Sequence, residues 1–210
     1  MEKLIIIGAG GYAKSVLDSV DYYNYTIQGF IDEISSAKEH LGYPILAKSL
    51  DELDDTHQYF YFIAIGNNGK RKIWYDRLVA NGLRLVNIVD KSSLVSPHAK
   101  IGNGCFIGKL AVVNSKAAIG NDCIINTRAL VEHGCHVHDH VNLSTNSVIN
   151  GDVEVGDGSF IGSCAVTIGQ VKIGKWSTVG AGSVVIHDVE DGVTVAGVPA
   201  KFIKKGAMLG

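Results

Sequence analysis

From Val89 to Val185 every sixth residue is Val, Ile or Leu at 16 of 17 positions, with Thr167 the exception. The residue four places further on is small at each step, as at Ala99, Cys105, Ala111, Ala117, Ser147 and Ser159, with Val the largest allowed. Glycine commonly follows the aliphatic, as at Gly102, Gly108, Gly120, Gly156, Gly162, Gly174 and Gly180. Neither an α-helix nor an antiparallel hairpin has a period of six. One large and one small inward residue per six, with a turn between, describes short flat strands wound into a coil. Its turns stack at the strand spacing of about 4.8 Å and bury a continuous aliphatic column. The expected fold of this stretch is a parallel β-helix.

The period starts only at Val89, and composition changes near it. All eight tyrosines lie between Tyr12 and Tyr75. Two domains are therefore predicted, residues 1–88 and 89–210. Glycine is 25 of 210 residues and proline 3, against usual shares of about 7 % and 5 %. A chain so composed is expected to make many turns at positive φ. Cys105, Cys123 and Cys135 occupy the small inward slot, so they read as packing residues rather than nucleophiles.

In residues 1–88 strands alternate with helices. Strands are predicted at Lys3–Ile7, Ile27–Ile31, Phe60–Ile65 and Leu85–Val89. One helix runs from about Tyr12 to Tyr22, with Ala13, Val16, Leu17 and Val20 on one face, and another ends near Ala80. The alternation indicates an α/β, Rossmann-like parallel sheet. Gly8-x-Gly10-x-x-Ala13 fits a dinucleotide fingerprint, with Asp32 where an acid meets a ribose. Four strands are too few for a whole dinucleotide, whose two halves use six. A nucleotide-containing ligand is favoured over NAD, and a purely structural tight turn is the alternative.

Charge excludes other classes. Nineteen basic against 21 acidic residues give a net of −2, without the basic footprint of a nucleic-acid binder. The longest apolar or aromatic run, Tyr59–Ile65, is too short to span a bilayer. Met1-Glu2-Lys3 is followed by only four aliphatics before Gly8, which is no signal-peptide core. A cytoplasmic protein with reduced thiols is expected.

The repeat resembles the hexapeptide acyltransferases, and Val195-Ala196-Gly197-Val198-Pro199-Ala200-Lys201 is similar to the tail that follows their coil. Gly8-Ala9-Gly10-Gly11-Tyr12-Ala13 with Ala64-Ile65-Gly66-Asn67-Asn68 resembles one subgroup. It contains the sialic acid O-acetyltransferase-like proteins and the nucleotide-aminosugar N-acetyltransferases, including the bacillosamine pathway enzyme. The resemblance implies a left-handed β-helix, a homotrimer, and acetyl-CoA bound between adjacent coils. It also implies that the N-terminal domain holds a nucleotide-linked amino sugar, through Gly10, Gly11, Tyr12, Asp32, Glu33 and Gly66. His133 in Val131-Glu132-His133 matches the catalytic base. Asn142 stands where relatives often have a histidine contacting acetyl-CoA, and Ser163 and Ala181 match positions that contact it through backbone. Gly134 stands where the bacillosamine enzyme has an acid.

Acetyl transfer needs a base for the nucleophile's proton and donors for the oxyanion. Histidine suits the base role because its ordinary pKa, about 6.5, lies near neutral pH. His133 occupies a non-inward place in its hexad, where a solvated surface ring is the bland alternative. His136, His138 and His140 read either as a zinc site or as a solvated corner or subunit-interface cluster, with no metal favoured. Asp32-Glu33 is either a strand-end turn or a contact to ribose, base or sugar amine. Lys201, Lys204 and Lys205 either meet coenzyme A phosphates or form a solvated tail. The expected function is N-acetylation of a nucleotide-linked 4-amino-4,6-dideoxy sugar for surface polysaccharide. The alternatives are sialic acid O-acetylation, a zinc-dependent β-helix hydratase and a non-catalytic nucleotide-sugar-binding protein.

Overall fold

The computed structural model describes residues 1–205. The N-terminal part is a twisted sheet of β1 (Glu2–Ile7), β2 (Tyr25–Ile31), β3 (Glu39–His40), β4 (Tyr43–Ala47), β5 (Phe60–Ile63) and β6 (Arg84–Leu85). Its order is β3-β4-β2-β1-β5-β6, parallel throughout except for the β3–β4 hairpin. Period-two alternation in β1 divides the core. Leu4 and Ile6 pack with α1 (Gly11–Leu17) against Phe106 and Ile124 of the coil, whereas Ile5 and Ile7 pack under Trp74 and Leu78 of α2 (Asn68–Ala80).

Three local expectations are corrected, the first being the count of four strands, to which the β3–β4 hairpin adds two. The hairpin carries no Asn-Gly or Asp-Gly signal. It turns through Leu41 and Gly42, both at positive φ (52° and 80°), as a two-residue loop matched to strand twist requires. Helix α1 stops at Leu17 rather than Tyr22, although Val20 is still buried. Just beyond its end the Ser19 hydroxyl donates to Asp90 of the coil at 2.6 Å. The single strand expected over Leu85–Val89 is divided between β6 and the first coil strand, Ile88–Val89. Between them the Asn87 side chain donates to Gly102 O and accepts from Cys105 N–H, both at 2.8 Å, and so starts the coil's ladder.

The coil is a left-handed β-helix with three flat faces, each strand pairing in parallel with the one 18 residues on. The second residue of each two-residue strand points inward, and the three inward columns form one core with Cys105, Cys123 and Cys135 inside it. Burial pushes the Cys123 and Cys135 thiols up, which suits packing residues. The outward residues differ by face. On the first face Ile88, Phe106 and Ile124 lie buried under the sheet domain. On the second, Leu94, Val112, Leu130, Val148, Val166 and Val184 form an aliphatic stripe, exposed at Leu94 and half-buried at the other five. On the third, Lys100, Ala118, His136, Glu154 and Lys172 are mostly polar.

Corners recur every sixth residue from Gly104 to Gly182, each at φ between 52° and 75°. Ten of the fourteen are not glycine, Leu110, Lys116 and Trp176 among them. Such residues cost roughly 1–2 kcal/mol each in that conformation, a cost the continuous ladder offsets. The glycines that follow the inward aliphatics are elsewhere. At Gly162 a Cβ would come within 2.5 Å of Ala181 N in the next turn. The coil's glycine is therefore spent largely on close approach, not on positive φ.

Candidate active site

A cleft of about 580 Å³ opens at the C-terminal ends of β1, β2 and β5, within the range of small-molecule sites. Gly10, Gly11, Tyr12, Asp32, Glu33 and Gly66 all line it. Gly10, Gly11 and Gly66 have nothing within 4 Å of where a Cβ would point, so their missing side chains leave open space. Gly8, by contrast, is held at φ 97° against Ala64 and Ile65.

Asp32 serves its own turn as well as the cleft. Its carboxylate accepts from the N–H groups of Ala9 (2.6 Å), Ser35 (2.7 Å) and Ile34 (2.9 Å). Burial alone would raise this carboxyl, but the three donors hold it below its ordinary value. Tyr12 meets Phe106 edge-on at 5.4 Å, with its hydroxyl enclosed in the seam between sheet and coil. Burial pushes that phenol well above its ordinary value.

The far wall comes from α2 and carried no sequence motif. Arg77 pairs with Glu33 at 3.2 Å and lies over the Trp74 ring at 4.7 Å. Lys70 and Ile73 complete the wall. Asn67 starts α2 by accepting from Lys70 N–H at 2.9 Å.

A second unforeseen group is Arg71, only 1 % exposed. Its Nε reaches Asp122 Oδ2 at 3.2 Å, and its other nitrogens donate to His140 O, Asn68 Oδ1, Ile65 O and Gly66 O. His140 Nδ1 faces the same Asp122 oxygen at 2.8 Å. Burial raises the Asp122 carboxyl despite these partners. Asn68 donates to Gly158 O and Ser159 O at 2.9 and 3.1 Å. The cleft's Ile65–Gly66 rim is thus clamped to the coil by a buried ion.

His140 is therefore no solvated corner residue. His138 pairs instead with Glu154 at 3.1 Å, a bond that heads the causes holding that carboxyl below its ordinary value. His136 is exposed beside His138. The three rings thus serve separate neighbours. Among the described residues no group of three His, Cys, Asp or Glu side chains is placed to hold a metal. Lys201, Lys204 and Lys205 lie on an exposed strand, Lys201–Lys205, antiparallel to Val193–Ala196.

His133 is exposed at the edge between the second and third faces, its ring over Gly151 of the next turn. Asn142 is on the first face, 6 % exposed, its Nδ2 3.4 Å from Gly66 O. Ser163 and Ala181 are exposed one turn apart on the edge between the first and second faces, where Gly182 N–H donates to Ser163 O at 2.8 Å. Asn142 and the cleft are thus brought together at Gly66. The sheet domain sits on the first face, and the His133 edge is the one opposite it. One chain does not unite the cleft with its histidine.

Residues 3–78 match the PglD N-terminal domain family, and residues 98–133 match the bacterial transferase hexapeptide family of six repeats. A mutant of perosamine N-acetyltransferase from Caulobacter crescentus, in complex with CoA and GDP-perosamine, superposes with a TM-score of 0.92 at 33 % identity, over 98 % of each chain. The acetyltransferase domain of PglB from Neisseria gonorrhoeae gives 0.92 at 32 % identity, over 97 % of this chain and all of that one. WeeI from Acinetobacter baumannii gives 0.88 at 27 % identity, over 97 % and 100 %.

Proposed function

The chain belongs to the hexapeptide-repeat acetyltransferases of the nucleotide-aminosugar family, and on that premise we propose that it transfers acetyl from acetyl-CoA to the amino group of a nucleotide-linked 4-amino-4,6-dideoxy sugar. One observation carries this reading. A nucleotide-sized cleft on a glycine-rich turn is clamped to a hexapeptide coil, in a chain alike over nearly its whole length to a protein bound to CoA and GDP-perosamine.

In this reading residues 1–88 hold the nucleotide. Gly10, Gly11 and Gly66 let backbone approach its phosphates, Lys70 and Arg77 supply positive charge, and Glu33 and the remaining lone pair of Asp32 meet the ribose or base. The sugar nitrogen attacks the thioester carbonyl, forming the C–N bond. His133 takes the nitrogen's proton as the C–S bond breaks, and the imidazolium returns a proton to the departing thiolate. Asn142 and the backbone at Ser163 and Ala181 hold acetyl-CoA.

The working unit in this reading is a homotrimer. Support comes from the aliphatic second face, a contiguous apolar surface of the kind that marks an interface, and from the separation of His133 from its own cleft. Three copies turning that face to a common axis bring the His133 edge of one beside the Ser163–Ala181 edge of the next. Four unpaired cysteines fit a reducing cytoplasm, and no described helix is long and apolar enough to cross a membrane.

Coenzyme A release over a panel of UDP-, dTDP- and GDP-linked amino sugars and sialic acids tests the reaction. Release with an amino-sugar nucleotide is expected, and release with sialic acids alone overturns it. Sedimentation should give a trimer; a fully active monomer defeats that part.

A further inference from the structure

On the far wall of the cleft Trp74, Arg77 and Glu33 form a layered stack. Trp74 is 3 % exposed and packs in the core with Ile5, Ile7 and Leu78, which fixes its ring. The Arg77 guanidinium lies over that ring at 4.7 Å, and its Nη1 donates to Glu33 Oε1 at 3.2 Å. Indole thus covers one face of the guanidinium and a carboxylate holds one edge, yet Arg77 still lines the cleft. A planar cation fixed in this way offers its other face to a flat ring. Spacing along α2 says which part of a nucleotide lies there. Lys70 stands in the first turn of the helix, and Gly66 of the glycine-bearing end lines the cleft beside it. Arg77 is seven residues further, so it shares that helix face and lies about 10 Å along the axis. That is the span from a diphosphate across a ribose to its base.

We propose that Arg77, held flat by Trp74 and Glu33, stacks on the nucleobase of the nucleotide-linked sugar and leaves the diphosphate to Lys70 and the glycines. The proposal rests on the reading that residues 1–88 hold the nucleotide, and it gives the base its place within them. Two features separate this role from a second phosphate contact. The charge of Arg77 is already met by Glu33, so what it has left to offer is its planar face. The neighbours of the pair are aliphatic, since Ile34 follows Glu33 in the chain and Ile73 precedes Arg77 by one helical turn. Both are exposed and line the cleft, a surface that suits a base and not a phosphate. Every base has a π-face, so the stack accepts purine and pyrimidine alike.

The test is calorimetric titration of the full chain with uridine, thymidine and guanosine and with their 5′-diphosphates. Arg77→Lys keeps the charge and loses the plane, and its exposed position leaves the fold intact. In that variant the affinity for the diphosphate that the native protein binds best should fall about tenfold, the order of one base stack. The affinity for the matching bare nucleoside should fall by the same factor. Lys70→Met should weaken the diphosphate and leave the nucleoside unchanged. A loss in Arg77→Lys confined to the diphosphate makes Arg77 a phosphate contact and overturns the proposal, as does an unchanged affinity for both. Failure of the underlying reading is seen separately, in the native protein, as no binding of any nucleoside diphosphate, and that result removes the proposal with it.

Discussion

In the sheet domain Gly10, Gly11 and Gly66 face open space, whereas in the coil Gly156, Gly162 and Gly174 would drive a Cβ to within 2.5 to 2.7 Å of a backbone nitrogen in the next turn. The missing side chain leaves room for a ligand in one region and for the protein itself in the other. The two regions meet at the Arg71 clamp, where α2 bonds to coil carbonyls. At the His133 edge the room left by Gly134 and Gly151 is taken by the Asp152 carboxylate and the His133 ring of the same chain. Composition shows an excess of glycine but not which purpose each one serves.

The largest effect should come from that edge. His133→Ala should lower turnover about 10²–10⁴-fold, the usual contribution of a general base, with unchanged thermal stability because the ring is exposed. The defect should lessen as pH rises and the free amine needs no base. Near-normal turnover at neutral pH would send the search for a base elsewhere.

Next is the clamp between the two regions. Arg71→Met leaves Asp122 buried without its cation and frees the Gly66 carbonyl. It should destabilise the fold by about 3–5 kcal/mol, as removing one partner of a buried pair does, and raise the KM for the nucleotide sugar. Urea unfolding measures the first quantity, and a loss below about 1 kcal/mol would mean that the seam does not depend on this ion.

The glycine contrast can be broken directly by a pair of substitutions. Gly162→Ala should cost about 1–3 kcal/mol, the usual toll of overpacking. Gly11→Ala should leave stability equal or up to about 1 kcal/mol higher, since alanine is the better helix former, while weakening nucleotide-sugar binding. Calorimetric melting and titration read both, and equal losses of stability would erase the distinction.

The smallest effect is at Asp32. Its folded carboxyl lies below the ordinary value, so its stabilisation is present above the unfolded pKa of about 3.9 and fades as pH falls through the lower folded value. The stability gap between the native protein and Asp32→Asn should therefore narrow between about pH 6 and pH 2. A gap independent of pH would mean that the turn does not need the charge.

Much of this molecule is local in sequence. The coil is legible because each turn repeats one requirement, a large and a small inward residue in six, and each strand pairs with the strand 18 residues on. The Gly8–Ala13 turn and the acid at Asp32 are legible because phosphate approach needs glycine at a helix start. What the tertiary structure decided lies where distant segments meet without periodicity. Arg71 reaches Asp122 and His140 across 51 and 69 residues, and nothing in a helix sequence distinguishes a buried arginine from a solvated one. His138 and His140 differ by two residues, yet one faces Glu154 near solvent and the other faces Asp122 in the seam. Asp152 meets the space over Gly134 only because the coil advances one turn in 18 residues. A repeat sets which residues stack, but burial and charge pairing follow from which face the sheet domain covers, and that is settled by packing rather than by period.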